Sequence, residues 1–414
     1  MTTRAATPVT TRAATPVTTR AAIREPRLRA TVRRWWLVPV LVAYVGLGLR
    51  TEAQFLAVKP LPRFLLQDFR LYERALGDAQ NGRDPYAIRD IGAAFLYPPP
   101  SLLIVQAFAP IAPLVFQAVV FAAINTVLLS VAISMLAARA GYRSRTVWWW
   151  YVLALGFAPY LELLHIGQIN VVTLSMLCFA LYWESSRPLV AGASLALAIA
   201  TKVTPAALLG YFAINRNRRN RGVIAGAAVA LFALSAITIA AYGIQPFVTY
   251  GEAFRALTNE FPLGANSQSF VAKLIQYNWI GGGSAATVQR VLTVYVAVMW
   301  MVSAFAAQRT RDTEPLLIVV IFGMTLLPNV LWYHHYVFLL PAVFVWMGWS
   351  RLRLPVVLWC IAGLALIQID RRFTCGLLVH AFGHASILAI VVWQAVQAMN
   401  NRGRSRGSGA EASE

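Results

Sequence analysis

Charge is scarce in this sequence. Asp, Glu, Lys and Arg make up 13% of its 414 residues, against about 25% in an ordinary soluble domain. No polar stretch is long enough for a large soluble domain. Lysine is nearly absent: Lys59, Lys202 and Lys273 are the whole set, and arginine fills almost every other basic position. The three cysteines, Cys178, Cys360 and Cys375, have neither disulfide nor metal-site spacing and read as inert. No glycine-rich loop is present to cradle a nucleotide's phosphates, so no nucleotide cofactor is expected.

What is abundant is apolar. Hydrophobic residues make up 58% of the chain and the mean hydropathy is +0.60. Apolar runs recur at about 17–25 residues, the length a helix needs to cross a hydrocarbon core. The fold class is therefore all-α: a polytopic integral membrane protein with about 10–12 transmembrane helices. The net charge of +20 does not point to nucleic acid. The arginines sit in short segments between apolar runs and at both termini, as the positive-inside rule predicts, and no basic face with interleaved aromatics forms a binding module. The expected surroundings are membrane lipids.

Residues 2–22 repeat an octapeptide, TTRAATPV, and residues 1–34 as a whole read as a disordered, basic cytoplasmic segment. The first apolar span is Trp35–Leu49, which places the following segment, 51–97, outside. There Gln67–Pro100 carries five carboxylates (Asp68, Glu73, Asp78, Asp84, Asp90) and ends in three prolines. Asp68, Tyr72, Ala75 and Leu76 fall at helical spacing, which predicts a short helix along the membrane surface. Residues 101–138 leave two options open. Two full crossings put Arg139, Arg143 and Arg145 outside, against the charge rule; otherwise one piece is only half inserted. In the segment 188–214, flanked by arginines at both ends, Pro205 removes a helical hydrogen bond. It reads as two half-helices meeting at Lys202. A second exterior loop spans 244–287, and 399–414 is a disordered cytoplasmic tail. With alternating crossings, Asp68, His165–Asn170, Asn266–Ser269 and His334–His335 all reach the exterior face, with Lys202 below them.

Each polar group has a chemical and a plainer reading. Asp68 suits a general base, or else caps a helix or faces water. Lys202 lies in an apolar span, where a charge is costly and is by default a functional-site candidate. A compact ammonium facing a cavity suits a phosphate; the alternative is a lysine reaching back to the interface. Of the adjacent His334 and His335, one is expected to face a cavity. Zinc is not expected, because neither has a His or carboxylate partner at i+3 or i+4. The amides of Gln168, Asn170, Asn266 and Gln268 can bind sugar hydroxyls or simply cap helix ends. A transporter or lipid flippase is the competing class, since broken helices near the midplane also occur there. The absence of an internal repeat beyond residues 2–22, and the gathering of motifs on one face, weigh against it.

Taken in order, DFRLYERAL (68–76), GRDPY (82–86), FLYPPP (95–100), GQIN (167–170), ALAIATKVTP (196–205), NSQS (266–269) and WYHHYVFLLP (332–341) resemble glycosyltransferase family 87 of the GT-C superfamily. NSQS departs from the shorter Asn-Gln-Ser of many relatives. The resemblance implies a GT-C-like transmembrane domain over 35–398 that moves a sugar from a polyprenyl-phosphate carrier to a hydroxyl on a glycolipid or glycan acceptor. Transfer proceeds with inversion, outside the plasma membrane and without a cofactor. Mannose is the implied sugar, arabinofuranose the alternative. It also implies Asp68 as catalytic base, Lys202, His334 and His335 as donor-phosphate ligands, and Tyr72, Tyr97, His165, Gln168, Asn170, Asn266 and Gln268 as sugar or acceptor contacts.

Overall fold

The computed structural model describes residues 37–58, 65–87, 94–111, 113–214, 218–258, 267–369 and 375–410. The chain divides into two compact units, residues 1–40 and 41–414. Of the first, only residues 37–40 are described. The octapeptide repeat, the segment 1–34 and Asn266 lie outside the described residues.

Helices carry nearly all of the described structure. They are α1 (Leu37–Val58), α2 (Gln67–Gln80), α3 (Ser101–Phe108), α4 (Leu114–Arg139), α5 (Trp148–Leu155), α6 (Ala158–Ile166), α7 (Asn170–Trp183), α8 (Pro188–Thr201), α9 (Ala207–Ile214), α10 (Arg218–Tyr242), α11 (Gln245–Thr258), α12 (Phe270–Gln276), α13 (Gly282–Thr310), α14 (Glu314–Leu326), α15 (Leu339–Trp349), α16 (Leu354–Ile369) and α17 (Cys375–Ala410). Among the described residues the only bridge between extended segments joins Ser267 to Trp332. Among the described residues, five helices are long and apolar enough to cross a membrane: α1, α4, α10, α13 and the Gly376–Asn400 part of α17. Five shorter apolar helices, of 10–17 residues, accompany them. This is an all-α, multi-pass membrane protein with a GT-C-like fold.

The first span runs past the apolar stretch read from the sequence. α1 continues through residues 50–58, which include Arg50, Thr51, Glu52 and Gln54, and Thr51 there donates to the Gln368 carbonyl. The open question at 101–138 is settled by length. At about 1.5 Å per residue, the eight residues of α3 reach about 12 Å, well short of a hydrocarbon core of about 30 Å. The 26-residue α4 crosses alone. α3 is too short to cross, and α4 carries Arg139 to the end of the bundle opposite α2.

α14 and α15 form the centre of the bundle; Pro315–Leu326 and Leu339–Gly348 are buried throughout. The close neighbours α8 and α10 meet backbone to backbone. A Cβ on Gly192 would lie 2.1 Å from the Val223 carbonyl oxygen, and one on Gly226 would lie 2.4 Å from that of Leu189. Small residues of this kind let membrane helices approach closely.

Helix α2 has its own core. Its buried face, Phe69, Tyr72, Ala75, Leu76 and Ala79, recurs at three- and four-residue spacing. Phe69 and Tyr72 pack on Phe108, Phe121, Phe95 and Tyr97 with ring centroids 5.0–6.2 Å apart. Such pairs contribute about 0.5–1.5 kcal/mol each beyond the area they bury. Gln117 on α4 donates to Glu73 at 2.7 Å. This helix is therefore fixed to the bundle, and with it Asp68.

Candidate active site

Three local features converge on one cavity. The first is the turn between α6 and α7. α6 ends at Gly167, whose φ of 78° lies in the left-handed region, where glycine carries no steric penalty. A Cβ there would meet Phe69 Cβ at 2.8 Å. Glycine thus permits both the turn and the close approach of α2. The Leu66 amide donates to the His165 carbonyl at 2.9 Å, which sets the first turn of α2, and Asp68 with it, against Gln168.

The second is the break at Lys202. α8 stops at Thr201, Lys202 is extended (φ −158°, ψ 133°), and a short turn at Thr204–Ala206 leads into α9. The half-helices expected at this lysine are present. Lys202 is half-buried, and its Nζ lies 5.4 Å from the Phe338 ring centroid. Among the described residues no carboxylate pairs with it. An ammonium at such depth without a protein counter-ion suits an anionic ligand.

The third is the 3-10 turn Tyr333–Phe338. His335 Nδ1 accepts the Trp332 amide at 3.3 Å, so Nε2 is its donor nitrogen. His334 Nδ1 lies 3.5 Å from Glu162 Oε1, both side chains buried. The two rings stand at 89° to each other. Although the side chains diverge, both line the cavity, because the tight turn brings each to its edge.

The cavity has a volume of about 420 Å³, and its walls include Asp68, Tyr72, Tyr97, Gln168, Lys202, His334 and His335. Glu162, Thr204, Asn329 and Trp332 form more of its polar wall, while Leu71, Val203, Tyr250 and Phe254 give an apolar side. The hydroxyls of Tyr72 and Tyr97 both donate to Gln168 Oε1, and Gln168 Nε2 donates to Asp68 Oδ2. Burial first, then Tyr97 and the Asp68 carboxylate, raises Tyr72 well above an ordinary phenol. Tyr97 is raised by burial and by Asp68, against the lowering effect of its hydrogen bonds. Both tyrosines therefore stay protonated donors.

Three expected contacts lie elsewhere. His165 packs edge-on to Phe55 at 5.2 Å and faces Glu52 at 3.8 Å, outside the cavity wall. Asn170 is buried in the first turn of α7, away from the cavity wall. Gln268 is fully buried in a second cluster. Its carbonyl accepts from Tyr336 at 3.3 Å and lies 3.1 Å from His380 Nε2. The bridge of Ser267 to Trp332 anchors this segment beside the histidine turn rather than within the cavity. Glu162 was missed from the sequence, although an acid in LELLHIGQIN carries the signal of any charge at the end of an apolar span.

The sequence pattern of glycosyltransferase family 87 matches residues 95–331, more than half of the chain. The chain belongs to this family, within the GT-C superfamily. The match takes in Tyr97, Glu162, Gln168 and Lys202; Asp68 lies before it, and His334 and His335 lie just beyond. The chain is also 31% identical over 216 residues to a polyprenol-phosphate-mannose-dependent alpha-(1-2)-phosphatidylinositol mannoside mannosyltransferase of Mycobacterium tuberculosis. The aligned part is 49% of this chain and spans about half of that relative, 47%.

Proposed function

We propose that this protein transfers mannose from a polyprenyl-phosphate carrier to a hydroxyl of a glycolipid acceptor on the exterior side of the plasma membrane. The observation that carries the reading is one cavity walled by both Asp68 and Lys202, an ammonium with no carboxylate partner among the described residues. Family membership and the mannose donor in the name of the similar mycobacterial enzyme support the donor class. That name also makes phosphatidylinositol mannoside the first acceptor to offer.

In the proposed step the acceptor oxygen attacks the anomeric carbon and its proton passes to Asp68. The bond from that carbon to the phosphate oxygen breaks, and its electron pair leaves with polyprenyl phosphate. One negative charge develops on that leaving group. Lys202 is the fixed cation that stabilises it, with His335 and His334 as further donors. A single displacement inverts the anomeric centre, by analogy with inverting glycosidases. The apolar side of the cavity, Leu71, Val203, Tyr250 and Phe254, suits the first isoprene units of the carrier.

The test is incubation of the purified protein in phosphatidylinositol mannoside-containing vesicles with polyprenyl-phosphate mannose or polyprenyl-phosphate arabinose. Consumption of the mannose donor with mannosylated lipid formed supports the proposal. Consumption of the arabinose donor alone reassigns the sugar. Turnover of neither donor, with substrate movement across the vesicle membrane, favours a transporter.

A further inference from the structure

The network behind Asp68 assigns a second role at the site. We infer that Gln168 is a positioning residue for Asp68, and that Tyr72 and Tyr97 fix it in that role. This inference rests on the function proposed above.

A glutamine amide has two nearly isosteric orientations, and only its partners choose between them. Here the choice is made twice. Two phenol hydroxyls, brought from residue 72 on α2 and residue 97 beyond it, both donate to Gln168 Oε1. The Tyr72 hydroxyl also lies 3.0 Å from that of Tyr97. With Oε1 held by O–H donors, Nε2 is left to donate to Asp68 Oδ2. The opposite orientation sets Oε1 against an ionised carboxylate that can only accept. All three supporting side chains are buried, Tyr72 at 2%, Gln168 at 5% and Tyr97 at 8% exposure. The backbone is fixed as well: Gly167 lets α2 approach, and the Leu66 amide locks onto the His165 carbonyl. The carboxylate is thus held at one oxygen in a set direction at the cavity wall. A general base needs this constraint, because its reach to the acceptor proton depends on placement within a fraction of an ångström.

The titratable groups around the cavity are Asp68 and Tyr72 on α2, Tyr97, Glu162 on α6, Lys202, Tyr250 on α11, and the His334–His335 turn. Gln168→Glu keeps the shape and adds a carboxylate against Asp68. Two carboxylates in contact resist double ionisation, so the acid limb of the kcat profile moves up by about one pH unit or more. Donor KM stays within about twofold, since the change does not touch the phosphate end. Tyr72→Phe and Tyr97→Phe each leave one hydroxyl on Oε1 and lower kcat by about threefold or less. The double variant frees the amide to turn, and its loss exceeds the product of the two single losses.

The proteins are assayed with polyprenyl-phosphate mannose and phosphatidylinositol mannoside vesicles, beside Asp68→Asn. A raised acid limb in Gln168→Glu and a more than multiplicative double loss support the positioning role. An unmoved limb, a loss confined to KM, or a double variant equal to the product of the singles overturns it. If Asp68→Asn is inactive while the Gln168 and tyrosine variants match wild type, only the positioning role fails. If Asp68→Asn keeps full turnover, the base assignment and the positioning role fail together.

Discussion

Lys202 sits at a helix break without a carboxylate partner among the described residues, and that makes its replacement informative. Lys202→Met keeps most of the volume and removes the charge. We expect kcat/KM for the polyprenyl-phosphate donor to fall about 10–100-fold, the scale of a lost charge-assisted contact, with the acceptor KM nearly unchanged. Thermal stability should hold or rise, because replacing a charge held away from water with an apolar group is often neutral or stabilising. An equal loss toward donor and acceptor would argue against a phosphate role. Tyr72 and Tyr97 give the pH dependence. Their folded values lie above the ordinary phenol value of 10.0. Above about pH 10 the unfolded chain gives up these protons while the folded protein keeps them, so the folded state binds more protons and stability falls as pH rises. Melting temperatures measured from pH 7 to 11 should be level at first and drop beyond about pH 10. Lys202 was legible in the sequence because it is a charge inside an apolar span, and Asp68 because it opens the polar segment that follows the first span. Gln168 was legible as a polar residue but not in its partners, which arrive from positions 72 and 97 only when the chain folds. Gln268 and His165 show the converse: a one-dimensional motif does not say which way a side chain turns.

Among the elements, the crossing of α8 and α10 depends on having no Cβ at Gly192 or Gly226. Gly192→Val would drive a side chain into the Val223 carbonyl at a contact of 2.1 Å. We expect a destabilisation of about 3 kcal/mol or more, typical of severe overpacking. It should appear as a lowered melting temperature in detergent and a lower yield of monodisperse protein. A variant as stable as wild type would contradict the close crossing. The long lipid-facing helices were visible as apolar runs. The short ones were harder to count. α7, α8 and α14, of 13–14 residues, fall short of the about 20 residues a straight crossing needs. They are tolerated because one end of each meets a turn buried in protein or lining the cavity, the setting in which broken backbone is permitted inside a membrane. The short α3 was undecidable from hydropathy, since its eight residues are as apolar as a true span and only their length in space separates the two.

At the scale of the whole molecule, the face opposite α2 is clamped by one residue. Arg139, at the end of α4, bonds Glu314 at 2.6 Å, Glu184 at 2.8 Å and the Leu181 carbonyl at 3.1 Å. It ties α4, α14 and the end of α7 together. Arg139→Ala leaves two carboxylates facing each other with their cation gone. We expect about 3 kcal/mol of lost stability and a lower melting temperature, while donor KM in the surviving folded fraction stays near wild type. A large change in KM at unchanged stability would contradict a purely structural clamp.

The most direct measurement is turnover of polyprenyl-phosphate mannose by wild type and Asp68→Asn, side by side in the same phosphatidylinositol mannoside vesicles. The account predicts donor consumption with mannosylated lipid formed by wild type. It also predicts a loss of about 100-fold or more in kcat for Asp68→Asn, with both proteins inserted and melting alike. Equal turnover by the two proteins would contradict it.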